Sequence, residues 1–174
     1  FYNSILLESS DYDGNENSFS FICCKPMATI KVKDEIIIES LPDGKQSKTN
    51  ITSSISVPDA IKNFAEKFET DTSDFKFISN GLFGYTSYDS VRYFENVKLN
   101  LKKKEEKQIP DIIYCVYQYV IAINHFKNEA YIFEHSCEGV EYNFSLEQLE
   151  ALISNRNVAQ FKFSVNGNED SNLT

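Results

Sequence analysis

The 174-residue chain reads as an α+β protein built mainly from antiparallel sheets with flanking helices. Three observations lead there. Ile112 to Ile123 is an unbroken strand-like run, apolar on both alternating faces, which places it centrally in a layered fold. Shorter β-rich runs come in neighbouring pairs split by turn residues, the pattern of hairpins. Two segments carry helical periodicity and start signals.

The elements follow in order. Ile5-Leu6-Leu7 is a short strand candidate that runs into the polar, turn-rich Ser9 to Asn15. Phe19 to Cys23 is strand-like, and Pro26 is expected to break that run. Ala28 to Val32 and Ile36 to Glu39, separated by Lys33-Asp34-Glu35, read as a hairpin. Leu41 to Ser54 reads as polar loop. Pro58 suits the first turn of a helix. Ala60, Ile61, Phe64, Ala65 and Phe68 share one face of that helix, which should end near Glu69.

Phe75 to Tyr88 returns to strand, and Lys98 to Gln108 is loop. Pro110 then leads into the long central run. At about twelve residues it exceeds the usual five or six, so it belongs to a large sheet, larger than this chain completes by itself. Asn124 to Asn128 is a turn, and Ala130 to Phe133 returns antiparallel. Ser145 and Gln148 have capping-box spacing, with Leu146, Leu149, Leu152 and Ile153 as the buried stripe of a second helix. Val158 to Val165 is a last strand candidate.

Composition limits the partners. With 17 basic and 26 acidic residues the net charge is -9. Such a chain is repelled by nucleic acid and by anionic membranes, so neither is an expected partner. The Lys102-Lys103-Lys104 cluster runs straight into Glu105-Glu106 and reads as a solvated loop. No run nears 18 apolar residues, and no signal peptide stands out. Cys23, Cys24 and Cys115 lie in apolar strand-like runs, as core thiols do in a reducing compartment. Together these features point to the cytoplasm. The chain starts at Phe1 without Met, as expected of a trimmed product.

Chemistry-bearing residues are few. No C-x-x-C, no metal-type cluster and no G-x-S-x-G elbow is present, so no metal or catalytic set is expected. His125 and His135 read as turn and strand-end residues. Glu8 and Ser9 follow an apolar strand, where a sheet end holds side chains rigidly. Glu8 can pair with an ammonium and Ser9 can bond either pole of an amino acid. Asp89 and Arg92, three apart, read as a local ion pair fixing a strand-to-loop turn. Gly81 and Gly84 allow close approach of a neighbouring strand.

The segment Asn80 to Glu95, with Gly81, Gly84, Tyr85, Tyr88, Asp89 and Arg92, resembles a signature of anthranilate synthase component I, a chorismate-utilising family. Ser4-Ile5-Leu6-Leu7-Glu8-Ser9 is similar to its N-terminal Leu-Leu-Glu-Ser element. Ser18 to Ile22 followed by Lys25 to Ile30, Ile109-Pro110-Asp111, Asn124-His125, Ala130-Tyr131-Ile132 and the tail Glu169 to Thr174 extend the likeness over nearly the whole chain.

The resemblance implies that residues 1–174 are the N-terminal domain of a larger subunit whose C-terminal chorismate-binding domain lies outside this chain. Thr174 would suit the N-cap of a following helix. It implies a four-layer α/β/β/α body with two orthogonally packed antiparallel sheets. It also implies a parent enzyme, a carbon–oxygen lyase, that makes anthranilate and pyruvate from chorismate. That enzyme uses Mg²⁺ and ammonia from a glutamine amidotransferase partner.

Catalytic and metal-binding residues would belong to the C-terminal domain, leaving the fragment inactive alone. Leu7, Glu8 and Ser9 would contribute to a feedback L-tryptophan site. A basic contact found in some members would fall near Ser18 or Phe19, neither of which is basic. Two alternatives stand beside this reading. One is the N-terminal domain of aminodeoxychorismate synthase component I of folate synthesis, though the Ser87 to Arg92 wording leans toward the anthranilate branch. The other is a stand-alone amino-acid-binding module. Without its companion domain the fragment is expected to expose an apolar sheet face and to self-associate.

Overall fold

The structure, a computed structural model, describes residues 3–8, 18–70, 74–97, 99, 109–155, 162, 164 and 167. The chain divides into two compact units, Phe1–Val140 and Glu141–Thr174. The expected loop from Ser9 to Asn15 lies outside the described residues, as do nearly all of Lys98 to Gln108 and most of the strand expected over Val158 to Val165.

Among its described residues the first unit is built on one antiparallel seven-stranded sheet, with β1 (Ile5–Glu8), β2 (Phe19–Lys33), β3 (Ile36–Ser40), β4 (Gln46–Asn50), β5 (Phe83–Thr86), β6 (Ile112–Asn124) and β7 (Glu129–Glu134). The order is β4-β3-β2-β6-β5, with β1 also paired to β2 and β7 to β6. The spine is the long β2–β6 pair, running from Phe19 opposite Asn124 to Val32 opposite Ile112. The expected central place of the long run is therefore met, since β6 has partners along both edges.

Pro26 does not break its strand. β2 continues through it for 15 residues, with a register shift against β6 between Pro26 and Ala28. Proline has no N–H to give a ladder, and a bulge is the place in a sheet that does not need one. Lys25, just before it, takes up the irregularity with φ of 60°. The β2–β3 turn is also strained. Asp34 and Glu35 sit at φ 52° and 62°, with Lys33 opposite Ile36. This is the both-positive geometry of a type I′ hairpin turn.

Part of the stretch expected as loop is a strand. Gln46 to Asn50 pairs with β3 from Gln46 opposite Ser40 to Asn50 opposite Ile36. Its Gln, Ser, Lys, Thr and Asn side chains give no apolar alternation. They suit an exposed sheet edge, where polar residues discourage pairing with other chains.

Helix α1 (Val57–Ala65) is shorter than expected. Ser56 caps it, accepting the Asp59 N–H at 3.2 Å, and Pro58 sits in its first turn. After Ala65 the chain winds on in tight turns, with Lys67 N–H to Phe64 O at 3.2 Å and Phe68 N–H to Ala65 O at 3.1 Å. These continue the apolar face to Phe68 without continuing the α-helix. Phe64 meets Ala28, Ile30, Val32, Ile37, Val57 and Ile112 in the main core. A second core joins Cys23, Phe83, Cys115, Tyr117 and Val120.

Of the strand expected over Phe75 to Tyr88, only Phe83 to Thr86 forms one, followed by a 3-10 helix over Tyr88–Tyr93. Phe75 and Phe77 spend their rings elsewhere. Phe75 packs 5.4 Å from Tyr131 and 5.2 Å from Phe133, and Phe77 lies 4.7 Å from Phe19. Ring packing on β2 and β7 accounts for their apolar alternation without a ladder.

In the second unit, helix α2 (Leu146–Ser154) begins at Ser145, whose hydroxyl accepts the Gln148 N–H while Gln148 reaches back to the Ser145 N–H. This is the expected capping box. Of the stripe expected to be buried, Leu149 is, whereas Leu152 and Ile153 are half exposed. None of the four cysteines forms a disulfide, and Cys23, Cys24 and Cys115 are buried.

Candidate functional site

The glycine- and tyrosine-rich segment is a structural device. Gly84 lies opposite Tyr114, and a Cβ there would meet the Ile113 carbonyl oxygen at 1.9 Å. Close approach is thus the reason for glycine at 84. Gly81 needs it for another reason: its φ is 137° and nothing lies within 4 Å of a Cβ. Tyr85 donates to Pro110 O at 3.0 Å, while Tyr88 is exposed to solvent.

The ion pair expected inside the turn is replaced by a longer-range one. Arg92 donates to Asp111 Oδ2 at 2.7 Å and takes only the backbone carbonyl of Asp89, also at 2.7 Å. Its guanidinium reaches Tyr93 Oη at 2.8 Å and lies 4.3 Å from the Tyr93 ring centre. Tyr93 Oη in turn donates to Asp111 Oδ2 at 2.9 Å. Ser90 Oγ and the Ser87 N–H both donate to Asp111 O, at 2.7 and 2.8 Å. Burial, then the bond to the Asp111 carboxylate, pushes the Tyr93 hydroxyl up to about 12. One aspartate at the mouth of β6 therefore anchors the whole 3-10 helix. Spacing alone favoured Asp89, because sequence distance hides a partner 19 residues away.

The strand that carries the other candidates is β1. It lies against β2 with Leu7 opposite Phe21 and Glu8 opposite Ser20. Leu7 is 37% exposed, and Glu8 is exposed. Ser9 lies outside the described residues. Directly opposed residues in an antiparallel pair point to one face, with Cβ atoms about 5 Å apart. Glu8 and Ser20 therefore share a face.

Ser20 is buried, and its hydroxyl lies 2.7 Å from His125 Nε2. His125 is held again from its backbone, donating N–H to Ser18 O at 3.0 Å. Beside it Asn124 accepts the Lys127 N–H at 3.0 Å and closes the β6–β7 turn. So the structure gathers a carboxylate, a hydroxyl and an imidazole at one end of the sheet. Sequence reasoning placed His125 in a turn, correctly, but missed its union with Ser20 across 105 positions.

His135 follows β7 as expected. Its backbone N–H donates to Gln118 O at 2.7 Å and its Nδ1–H to Tyr117 O at 3.0 Å. It lines a cavity of about 230 Å³ together with Met27, Phe68, Gly81, Leu82 and Cys137 among others. Leu7 and Glu8 line neither this cavity nor two further ones among the described residues, of about 220 and 270 Å³. Among the described residues no group of three or more His, Cys, Asp or Glu side chains could hold a metal. Nor, among them, is any helix long and apolar enough to cross a membrane.

Comparison with known proteins bears on identity. No family model matches the chain. Anthranilate synthase component 1 of Methanothermobacter marburgensis is 30% identical over 133 residues, 76% of this chain and 26% of that protein. Aminodeoxychorismate synthase component 1 of Bacillus subtilis is 27% identical over 135 residues, 75% of this chain and 26% of that protein.

This chain is a homologue of component 1 of these synthases.

The fold agrees. The crystal structure of anthranilate synthase component I from Streptococcus pneumoniae superposes with a TM-score of 0.53, covering 88% of this chain and 30% of that one. Its 18% identity makes this a likeness of fold. The chain spans between a quarter and a third of the length of the component 1 proteins it matches.

Proposed function

We propose that this chain is the N-terminal regulatory domain of an anthranilate synthase large subunit, and that Leu7, Glu8 and Ser9 contribute to its feedback site for L-tryptophan. One observation carries the reading. Most of the chain aligns with component 1 proteins, yet it covers only about a quarter of their length. The exposed Glu8 at the last position of β1, opposite Ser20 with its His125 contact, supports the assignment of the site.

In this reading the parent subunit is a four-layer α/β/β/α body with orthogonal sheets. It converts chorismate and ammonia to anthranilate and pyruvate, taking the ammonia from a glutamine amidotransferase subunit. Mg²⁺ and the reacting groups are assigned to the C-terminal chorismate-binding domain, so no catalytic step is placed on the residues described here. The fragment is inactive by itself. Leu6, 60% exposed, and its neighbour Leu7 present apolar surface that the companion domain would cover. The isolated chain should then self-associate in sedimentation.

Glu8 supplies the test. It offers a carboxylate to the ammonium of an amino acid, a charge-assisted bond worth about 1.5–3 kcal/mol. In the complete protein, Glu8→Gln should weaken inhibition by tryptophan by about tenfold or more and leave the uninhibited rate in place. Unchanged inhibition would overturn the site.

A further inference from the structure

We infer that the cavity between β5 and β7 is a binding site for a small, uncharged aromatic molecule with one O–H or N–H donor, and that Nε2 of His135 is the acceptor that holds it. This site is separate from the amino-acid site proposed above, since neither Leu7 nor Glu8 lines the cavity.

Topology opens the space. β2 pairs with β6 along one whole edge, so β5 and β7 share the other. β5 begins at Phe83, opposite Cys115, and β7 ends at Glu134, opposite Tyr119. Val116, Tyr117 and Gln118 of β6 lie between the two ladders, paired to neither strand. The cavity, of about 230 Å³, forms at this gap. Asn80, Gly81 and Leu82 line it just before β5, and His135, Ser136 and Cys137 line it just after β7. A Cβ at Gly81 would meet nothing within 4 Å, as open space there requires.

His135 is fixed across the gap. Its backbone N–H donates to Gln118 O at 2.7 Å, and its ring is bonded to Tyr117 O at 3.0 Å. A carbonyl oxygen only accepts, so the ring proton sits on Nδ1. The neutral ring then keeps Nε2 as an acceptor. A side chain already held in place loses little freedom when a ligand arrives.

The rest of the lining sets the ligand's chemistry. Met27, Ala65, Phe68, Leu82, Val116 and Val120 make it largely apolar. Among the described residues Glu69 lines it and no Lys or Arg does. A carboxylate or phosphate entering there finds no counter-charge, and an uncharged ring is favoured. A dry apolar cavity of about 150 Å³ holds one benzene ring. The larger volume here has room for a ring with one or two substituents. A purely apolar ring would leave Nε2 unpartnered, whereas a donor on the ring satisfies it.

The test uses p-cresol, the tyrosine side chain as a free molecule, which stays uncharged well below about pH 10. p-Xylene has the same shape with a methyl in place of the hydroxyl, and p-toluate carries a carboxylate instead. Each is titrated by calorimetry into the complete protein near neutral pH. In parallel, the rate at which a thiol reagent labels Cys137 is read by mass spectrometry of its peptide. That thiol lines the cavity, so an occupant shields it. Two variants are compared. His135→Asn keeps a donor at the place of Nδ1 and has no Nε2. Ala65→Leu adds bulk from the last residue of α1, where leucine suits a helix. Urea unfolding checks that both are folded.

In wild type, p-cresol should bind and slow the labelling of Cys137. p-Xylene should bind roughly fivefold more weakly, the worth of one hydrogen bond, and p-toluate should not bind. His135→Asn should bind the two uncharged rings equally, and Ala65→Leu should weaken both. Absence of p-cresol binding up to about 1 mM, or binding that leaves Cys137 labelling or the Ala65→Leu affinity unchanged, would overturn the site. A preference for p-cresol that survives in His135→Asn would overturn the role of Nε2. p-Toluate bound as tightly as p-cresol would overturn the restriction to uncharged ligands.

Discussion

Replacing Gly84 by alanine tests how β5 is joined to the central strand. The added Cβ would lie 1.9 Å from Ile113 O, 2.8 Å from Ile113 C and 2.9 Å from Tyr114 Cα. All three are backbone atoms of β6, so no side chain can swing away. A carbon normally stays about 3.3–3.6 Å from such an oxygen, and β5 must therefore withdraw by more than ~1 Å. Its ladder to β6 runs from Phe83 opposite Cys115 to Thr86 opposite Ile112. N–H···O bonds of about 2.7–3.2 Å do not survive that displacement.

Losing two such bonds costs about 2 kcal/mol net, and strain from overpacking adds about 1–3 kcal/mol. Phe83, 5% exposed, is pulled from the second core as well. The expected loss is about 3–5 kcal/mol, or roughly 10 °C in Tm for a chain of this size. Urea unfolding followed by circular dichroism measures it. Gly81→Ala is the internal control. It meets no atom within 4 Å, so only its backbone conformation is penalised, by about 1–3 kcal/mol. If Gly84→Ala lost less stability than Gly81→Ala, the close-approach argument would be wrong.

Other consequences are equally direct. Asp34-Glu35→Asn-Gly relieves two residues held at positive φ and should stabilise the chain by about 1 kcal/mol in the same unfolding assay. Asp111→Asn should bring the Tyr93 hydroxyl down from about 12 without reaching the ordinary value near 10, because burial persists; the ultraviolet signal of phenolate reads this out. Tyr93 binds its proton more tightly folded than unfolded. Its contribution to stability is thus full below about pH 10 and is lost as pH rises from 10 to 12. Burial pushes the Cys23 thiol up to about 12 and Cys24 in the same direction, so a thiol-reactive disulfide reagent near neutral pH should label half-buried Cys137 first and leave these two intact until the chain unfolds.

The fold was legible where burial drives it. The β6 run, the β2–β3 and β6–β7 hairpins and the Ser145 capping box all follow from apolar alternation or cap chemistry, which are local in sequence. β4 escaped because an exposed edge strand owes its place to main-chain pairing with β3 rather than to apolar side chains. Pro26 misled because its effect depends on whether a bulge is available to absorb the missing N–H. Phe75 and Phe77 alternate as a strand would, yet their rings are taken by β2 and β7.

The site was legible only in part, for a similar reason. Glu8 can be picked out as a polar residue at a strand end. The partners that give such a residue chemistry, Ser20 and His125, arrive through the register of three strands. Arg92 and Asp111 show the same limit: the nearer acid was the natural guess, and the fold chose the farther one.

The most direct test of the account is the product formed by the complete protein from chorismate and ammonia, followed with increasing tryptophan. The account predicts anthranilate, formed at a rate that tryptophan suppresses. Accumulation of 4-amino-4-deoxychorismate, or anthranilate synthesis indifferent to tryptophan, would contradict it.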